Sequence, residues 1–123
     1  MENLIIRDIK HEDYNGYFNL MAESSNNEYN FSEREFRYYL DQMKLNRLSK
    51  ILVIYSIIEN KIIGTGMIFK LNKINNYNIC HIEDVIISHR YKDFDLDKVL
   101  INKLYEIGVN EFRCNKINVN VVK

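Results

Sequence analysis

The 123-residue sequence contains no proline and no tryptophan. Asn, Ile, Lys and Tyr are plentiful instead, a bias that codon composition in an AT-rich genome produces, so these absences describe a genome and not an activity. The chain also lacks an excess of either charge, with 17 basic and 17 acidic residues. A nucleic-acid partner calls for surplus Lys and Arg, globally or in a run, and neither is present. We therefore expect no nucleic-acid partner. No stretch is long and apolar enough to span a bilayer, so no membrane association is expected. The opening MENLIIRDIK alternates charge with short apolar runs, unlike a signal peptide. Cysteine is scarce: Cys80 and Cys114 stand alone without CxxC spacing. That pattern predicts reduced, buried thiols in a cytoplasmic protein, with neither a disulfide nor a zinc framework.

What remains is enough for one domain, residues 1–123, with a core of its own. NLIIRDI (3–9) reads as a strand. From 11 to about 24, Tyr14, Tyr17, Phe18 and Met21 recur at helical spacing, with Gly16 a mild weakness. The polar run ESSNNEYN interrupts, and Ser32-Glu33-Arg34-Glu35 has the form of a capping box opening a second helix. Phe36, Tyr39, Leu40 and Met43 line one face of that helix, which ends near residues 46–49. ILVIYSII (51–58), apolar nearly throughout, predicts an interior strand, joined through Glu59-Asn60 as a tight turn to KIIGTGMIFKL (61–71). KINNYN has loop composition. ICHIEDVIIS (79–88) reads as a strand broken only by the Glu83-Asp84 pair. Leu96, Val99, Leu100, Leu104, Ile107 and Phe112 share one face of a helix from about 95 to 112. KINVNVV closes as a strand. The order β-α-α-β-β-β-α-β predicts an α/β (α+β) fold with a mixed sheet flanked by helices.

This order, with Gly64-Thr65-Gly66, His81-Ile82-Glu83-Asp84-Val85, the stretch Tyr91 to Lys98 and Cys114-Asn115-Lys116, resembles the GCN5-related N-acetyltransferase (GNAT) superfamily, and within it the glucosamine-6-phosphate N-acetyltransferases. The family run is a GTG strand, HIEDV, a YxGxGLGK loop and an LxxxGCxK segment. The resemblance implies acetyl transfer from acetyl-coenzyme A to the amine of an amino-sugar phosphate. It implies that Val85, Ile86 and Ile87, with Asp84 before them, offer backbone groups to the pantetheine arm. It also implies that Glu83 and Asp84 handle and orient the sugar. A carboxylate there can hold an amine near the thioester and draw off its proton. The structural alternative for Glu83-Asp84 is a strand edge or a hydrogen-bonded pair. His81-x-Glu83 lacks the PCxxC partner of a zinc deaminase, so His81 reads as a core or loop histidine and no metal is expected.

The loop departs from the family. Glycine there lets backbone N–H groups approach the diphosphate at a helix N-terminus, and Asp93, Asp95 and Asp97 fill all three positions. A left-handed backbone at an aspartate adds strain of roughly 1 kcal/mol or more. Each carboxylate about 5 Å from the diphosphate costs roughly 1 to 3 kcal/mol. Arg90 and Lys92 offset part of this if they hold the cofactor. Aspartate is also a good N-cap, so the loop reads as a self-capped turn in which carboxylates take the donors a phosphate would use. Relatives continue past the last strand with a helix, a further strand and a tyrosine at the departing thiolate. No residue here can be assigned that role, and the sequence stops at Lys123. Two expectations follow: a degenerate member that binds no acetyl-coenzyme A and acts through contacts with a protein partner, or an active acetyltransferase using Glu83 and Asp84. In either case a homodimer through the edge strand 116–122 is expected.

Overall fold

The computed structural model describes residues 3–25 and 31–120. Its elements follow the expected order: β1 (Leu4–Asp8), α1 (Tyr14–Ser25), α2 (Glu33–Asn46), β2 (Ser49–Ser56), β3 (Lys61–Leu71), β4 (Ile79–Ile87), α3 (Leu96–Asn110) and β5 (Lys116–Val119). Short 3-10 turns at His11–Asp13 and His89–Phe94 lead into α1 and α3. The five strands form one mixed sheet in chain order. The first four are antiparallel to their neighbours, and β5 lies parallel to β4.

Period-two alternation sends side chains to two layers. Leu52, Ile54, Ile68, Cys80 and Ile82 meet Leu96, Leu100 and Leu104 of α3 on one face. On the other, Val53 and Ile62 meet Leu20 of α1, and rings of Tyr14, Phe18 and Phe36 pack α1 against α2 edge to face. Gly16 has a reason beyond propensity: a Cβ there would lie 3.2 Å from Ile62 Cδ1, so it lets α1 sit close on β3. The capping box forms as expected, with Ser32 Oγ accepting from Glu35 N–H and Glu35 Oε1 accepting from Ser32 N–H. Arg7 clamps the turn before α1 by donating to both carboxylate oxygens of buried Asp13, at 2.7 and 2.9 Å. Asp13 in turn raises the Arg7 guanidinium above its ordinary value.

Two expectations need correction. Ile57 and Ile58 do not extend β2; they belong to the turn and are exposed. That turn is fixed by Ser56 Oγ, which accepts from Glu59 N–H, and by Asn60 at φ 53°. The cysteines are not free thiols: Cys80 and Cys114 form a disulfide, their Cα atoms 5.9 Å apart. They stand 34 positions apart in the sequence, but β5 returns beside β4, and spacing along the chain does not report that proximity. The last strand ends at Val119, and the final residues of the expected 116–122 run lie outside those described.

Candidate functional site

β4 is paired on both sides only along its first half. Ile79 to Ile82 match Lys116 to Val119 of β5, and the last link is Asn120 N–H to Ile82 O at 2.8 Å. From Glu83 to Ile87 the strand keeps β3 on one side. Among the described residues no strand pairs with its other edge. An unpaired strand edge presents backbone donors and acceptors in a row, the arrangement an extended amide-bearing chain can use.

The transition coincides with a bulge. Thr65 faces Ile86 and Met67 faces Glu83, leaving Asp84 and Val85 opposite Gly66. Asp84 takes φ 55°, the left-handed conformation found at the first residue of one bulge class, where glycine is usual. The bulge keeps Glu83 on the α1/α2 face with His81 and turns exposed Asp84 out of the strand's alternation. A side chain at Gly66 would sit 2.9 Å from Leu104 Cδ1, so the GTG strand keeps glycine where α3 presses on the sheet behind the bulge.

Glu83 is half-buried, and Asn120 Nδ2 donates to its Oε2 at 3.3 Å. The same Nδ2 lies 3.4 Å from His81 Nδ1, and the His81 ring stacks on Phe69 with centroids 5.2 Å apart. His81 is thus a half-buried strand residue packed on Phe69, where a core or loop histidine was expected. Among the described residues no group of His, Cys, Asp and Glu could hold a metal ion. Asn120 was not singled out in the sequence, although the alternation of KINVNVV puts Asn118 and Asn120 on one face.

The loop differs from the expected self-capped turn. Asp95 is the N-cap of α3, but its side chain makes no capping bond. Its carbonyl accepts the amides of Lys98 and Val99 instead, and its carboxylate turns outward to Lys98 Nζ at 3.8 Å. The cause is its left-handed backbone, φ 55°, where a helix N-cap takes extended dihedrals that aim its side chain back at the first amides. Asp93 and Asp97 have negative φ and are exposed. Strain therefore falls on one of the three aspartates, while the negative charge of all three remains. Among the described residues, Asp93 and Asp97 take part in no ion pair.

The two basic residues assigned to the loop part company. Arg90 Nη1 bonds Glu59 Oε1 of the β2–β3 turn at 2.7 Å, whereas Lys92 is exposed. A further carboxylate enters unforeseen: Glu23 of α1 accepts from His89 N–H at 2.8 Å and from Ser88 Oγ at 3.0 Å. The His89 amide lowers the Glu23 pKa most, with Ser88 adding to it and burial opposing. Glu23 sits in the polar run after the apolar helix positions, and no local pattern marks it.

Two cavities, of about 460 and 530 Å³, lie away from β4. One is floored by Ile9, Leu40, Met43 and Ile51; the other opens around Arg7, Asp13, Tyr55 and Lys61. Neither includes Glu83 or Asp84.

No protein-family model and no curated protein matches the sequence. Solved structures do. The chain is similar to glucosamine-6-phosphate N-acetyltransferase from Arabidopsis thaliana, with TM-score 0.85 and 23% identity over 97% of this chain and 82% of that one. It is similar to a GNAT family acetyltransferase of Staphylococcus aureus, with TM-score 0.70 and 20% identity over 98% and 88%. A predicted acetyltransferase of Clostridium acetobutylicum with acetyl-CoA matches with TM-score 0.72 and 16% identity over 98% and 82%. The chain has the GNAT fold. In GNAT terms the half-open strand is the one carrying HIEDV, and no helix among the described residues is long and apolar enough to cross a membrane.

Proposed function

We propose that this GNAT-fold chain is an N-acyltransferase that takes an acyl-coenzyme A thioester along the free edge of β4 and transfers the acyl group to an amine. The amino-sugar phosphates are the acceptor class we favour, following the HIED resemblance. The observation that carries the reading is the half-open strand: from Glu83 to Ile87 the edge away from β3 has no strand partner among the described residues, and it lies directly beside a carboxylate oriented by Asn120. An acyl-pantetheine arm fits this edge, and the first amides of α3 have no side-chain cap from Asp95. The diphosphate fits less well, because three aspartates fill the loop positions where the family resemblance expects glycine. The grip therefore moves from the loop to the strand, with Val85, Ile86 and Ile87 holding the arm and Lys92 the anionic end.

Bound acetyl-coenzyme A would supply an activated thioester carbonyl. Glu83 would then orient the incoming amine and take the proton released as the new C–N bond forms and the thioester C–S bond breaks, the thiolate leaving with the coenzyme and taking a proton from solvent. Asp84, exposed at the bulge, faces acceptor hydroxyls or the amine. Asn120 keeps Glu83 in place by donating one hydrogen bond to it.

The second reading, a degenerate domain working through protein contacts, is favoured by the exposed carboxylates at Asp93 and Asp97. Calorimetry separates the two. Acetyl-coenzyme A binding, together with acetylation of glucosamine-6-phosphate or another small amine, supports the enzyme. Absence of heat with both acetyl-coenzyme A and S-acetylpantetheine at millimolar concentration supports the degenerate domain. For either reading the assembly we propose is a homodimer through β5, an edge of the sheet; light scattering that gives a monomer at high concentration overturns it.

A further inference from the structure

We propose that Cys80 and Cys114 are a thiol–disulfide couple that locks β5 against β4 and thereby sets the position of Glu83; the link to Glu83 rests on the acyltransferase reading of that site. The pair is placed to do this. Cys80 is fully buried on β4 within the layer that includes Ile68, Ile82 and Leu104. Cys114 is half-buried in the turn that feeds β5. β5 is an edge strand matched to β4 over four residues, and Asn120, the residue that holds Glu83, follows its last residue directly. Besides the disulfide, the entry to β5 is pinned by Cys114 N–H to Gly108 O at 3.0 Å. A reciprocal Asn78–Asn115 pair adds two bonds, each 2.8 Å. The Asn78–Asn115 pair reaches the exposed Asn115, where water competes for it, whereas Cys114 N–H bonds the carbonyl of buried Gly108. Opening the disulfide leaves the short parallel pair held by these bonds, its own ladder and Ile117 against the core, and the first side chain affected downstream is Asn120.

The chemistry balances with an ordinary dithiol. A reductant thiolate attacks Cys114 Sγ, the more accessible sulfur, and the sulfur–sulfur bond breaks with its electron pair going to Cys80 Sγ, which takes up a proton. The reductant's second thiolate then displaces Cys114, closing the reductant's own disulfide, and Cys114 is protonated in turn. A small disulfide such as oxidised glutathione reverses both steps and leaves as two thiols. With Cys80 fully buried and Cys114 half-buried, an incoming thiolate reaches Cys114 and exchange proceeds through it.

The test compares hydrogen exchange of the Asn120 amide, bonded to Ile82 O, in the full chain oxidised with glutathione disulfide and reduced with dithiothreitol. Alkylation and intact mass give the thiol count of each sample. Cys114→Ser serves as a second readout at a half-buried position that tolerates a hydroxyl. We expect exchange about tenfold faster in the reduced protein, as local opening becomes easier, and in Cys114→Ser an equally fast rate that dithiothreitol does not change. Equal exchange in the two redox states, or two alkylated cysteines in the oxidised sample, overturns the proposal. The readout does not depend on catalysis. Lack of acyl transfer in both states, with the exchange difference present, would sink the acyltransferase reading and leave the couple standing.

Discussion

The two halves of β4 are made from similar residues and differ in what pairs with them. Ile79 to Ile82 are flanked by β3 and β5, tied to β5 by the disulfide, and include Cys80 and Ile82 with no exposed surface. Glu83 to Ile87 have, among the described residues, one strand neighbour, together with a left-handed aspartate and no fully buried side chain. The difference begins where β5 stops matching and the bulge begins. A strand whose backbone bonds are complete contributes stability, while a strand held on one side by a rigid neighbour can offer its other side to a ligand at little cost in reorganisation. The apolar run Val85-Ile86-Ile87 after HIED does not mark more core; it marks a half-buried edge.

The sharpest way to break this comparison is to truncate one isoleucine in each half. Ile82→Ala should cost about 2 to 5 kcal/mol, as for a fully buried side chain. Ile86→Ala, half-buried, should cost no more than about half of that. Urea denaturation at matched temperature measures both, and equal losses would erase the distinction between the halves. Next in size is Glu83→Gln, which removes the proton acceptor and keeps the shape. It should lower kcat/KM for acyl transfer about 100-fold, or roughly 2.7 kcal/mol, with the melting temperature nearly unchanged. A smaller effect is expected at the loop. Asp95→Gly relieves a left-handed aspartate, so it should stabilise the fold by up to about 1 kcal/mol. It should also tighten acetyl-coenzyme A about tenfold by removing one charge near the diphosphate. Unchanged affinity would show that the loop charge does not govern the grip.

The smallest effect is in acid. The Glu23 pKa is lowered in the fold, so its tether to His89 is fully present above its unfolded value, near 4.3, and is lost as pH falls through the lowered folded value. Glu23→Gln should therefore flatten part of the stability decline below about pH 4.5, leaving neutral stability within about 0.5 kcal/mol because the group is exposed.

The element order, the interior place of β2 and the capping box of α2 were legible because periodicity and Ser-x-x-Glu are local signals. The bulge was not. Asp84 in a left-handed conformation has no signature in an apolar strand, and it arises from the match of β4 to Gly66 across β3. The disulfide follows from strand adjacency that residue spacing hides. The three aspartates were legible as a departure from the family run, but their geometry was not. Sequence reading treated them alike, whereas the backbone strains Asp95 alone of the three, and that same strain turns its carboxylate away from the helix amides. Asn120 was within reach of period-two reading, and Glu23 required the tertiary fold.

The half-open strand is tested most directly by following the backbone amides of residues 84–87 by NMR while S-acetylpantetheine, which lacks the diphosphate, is titrated into oxidised protein. Saturable shifts are expected at Val85, Ile86 and Ile87, with smaller changes at residues 93–97 and none in Ile79 to Ile82. Shifts confined to the loop, or none at millimolar thioester, would contradict the strand-edge reading.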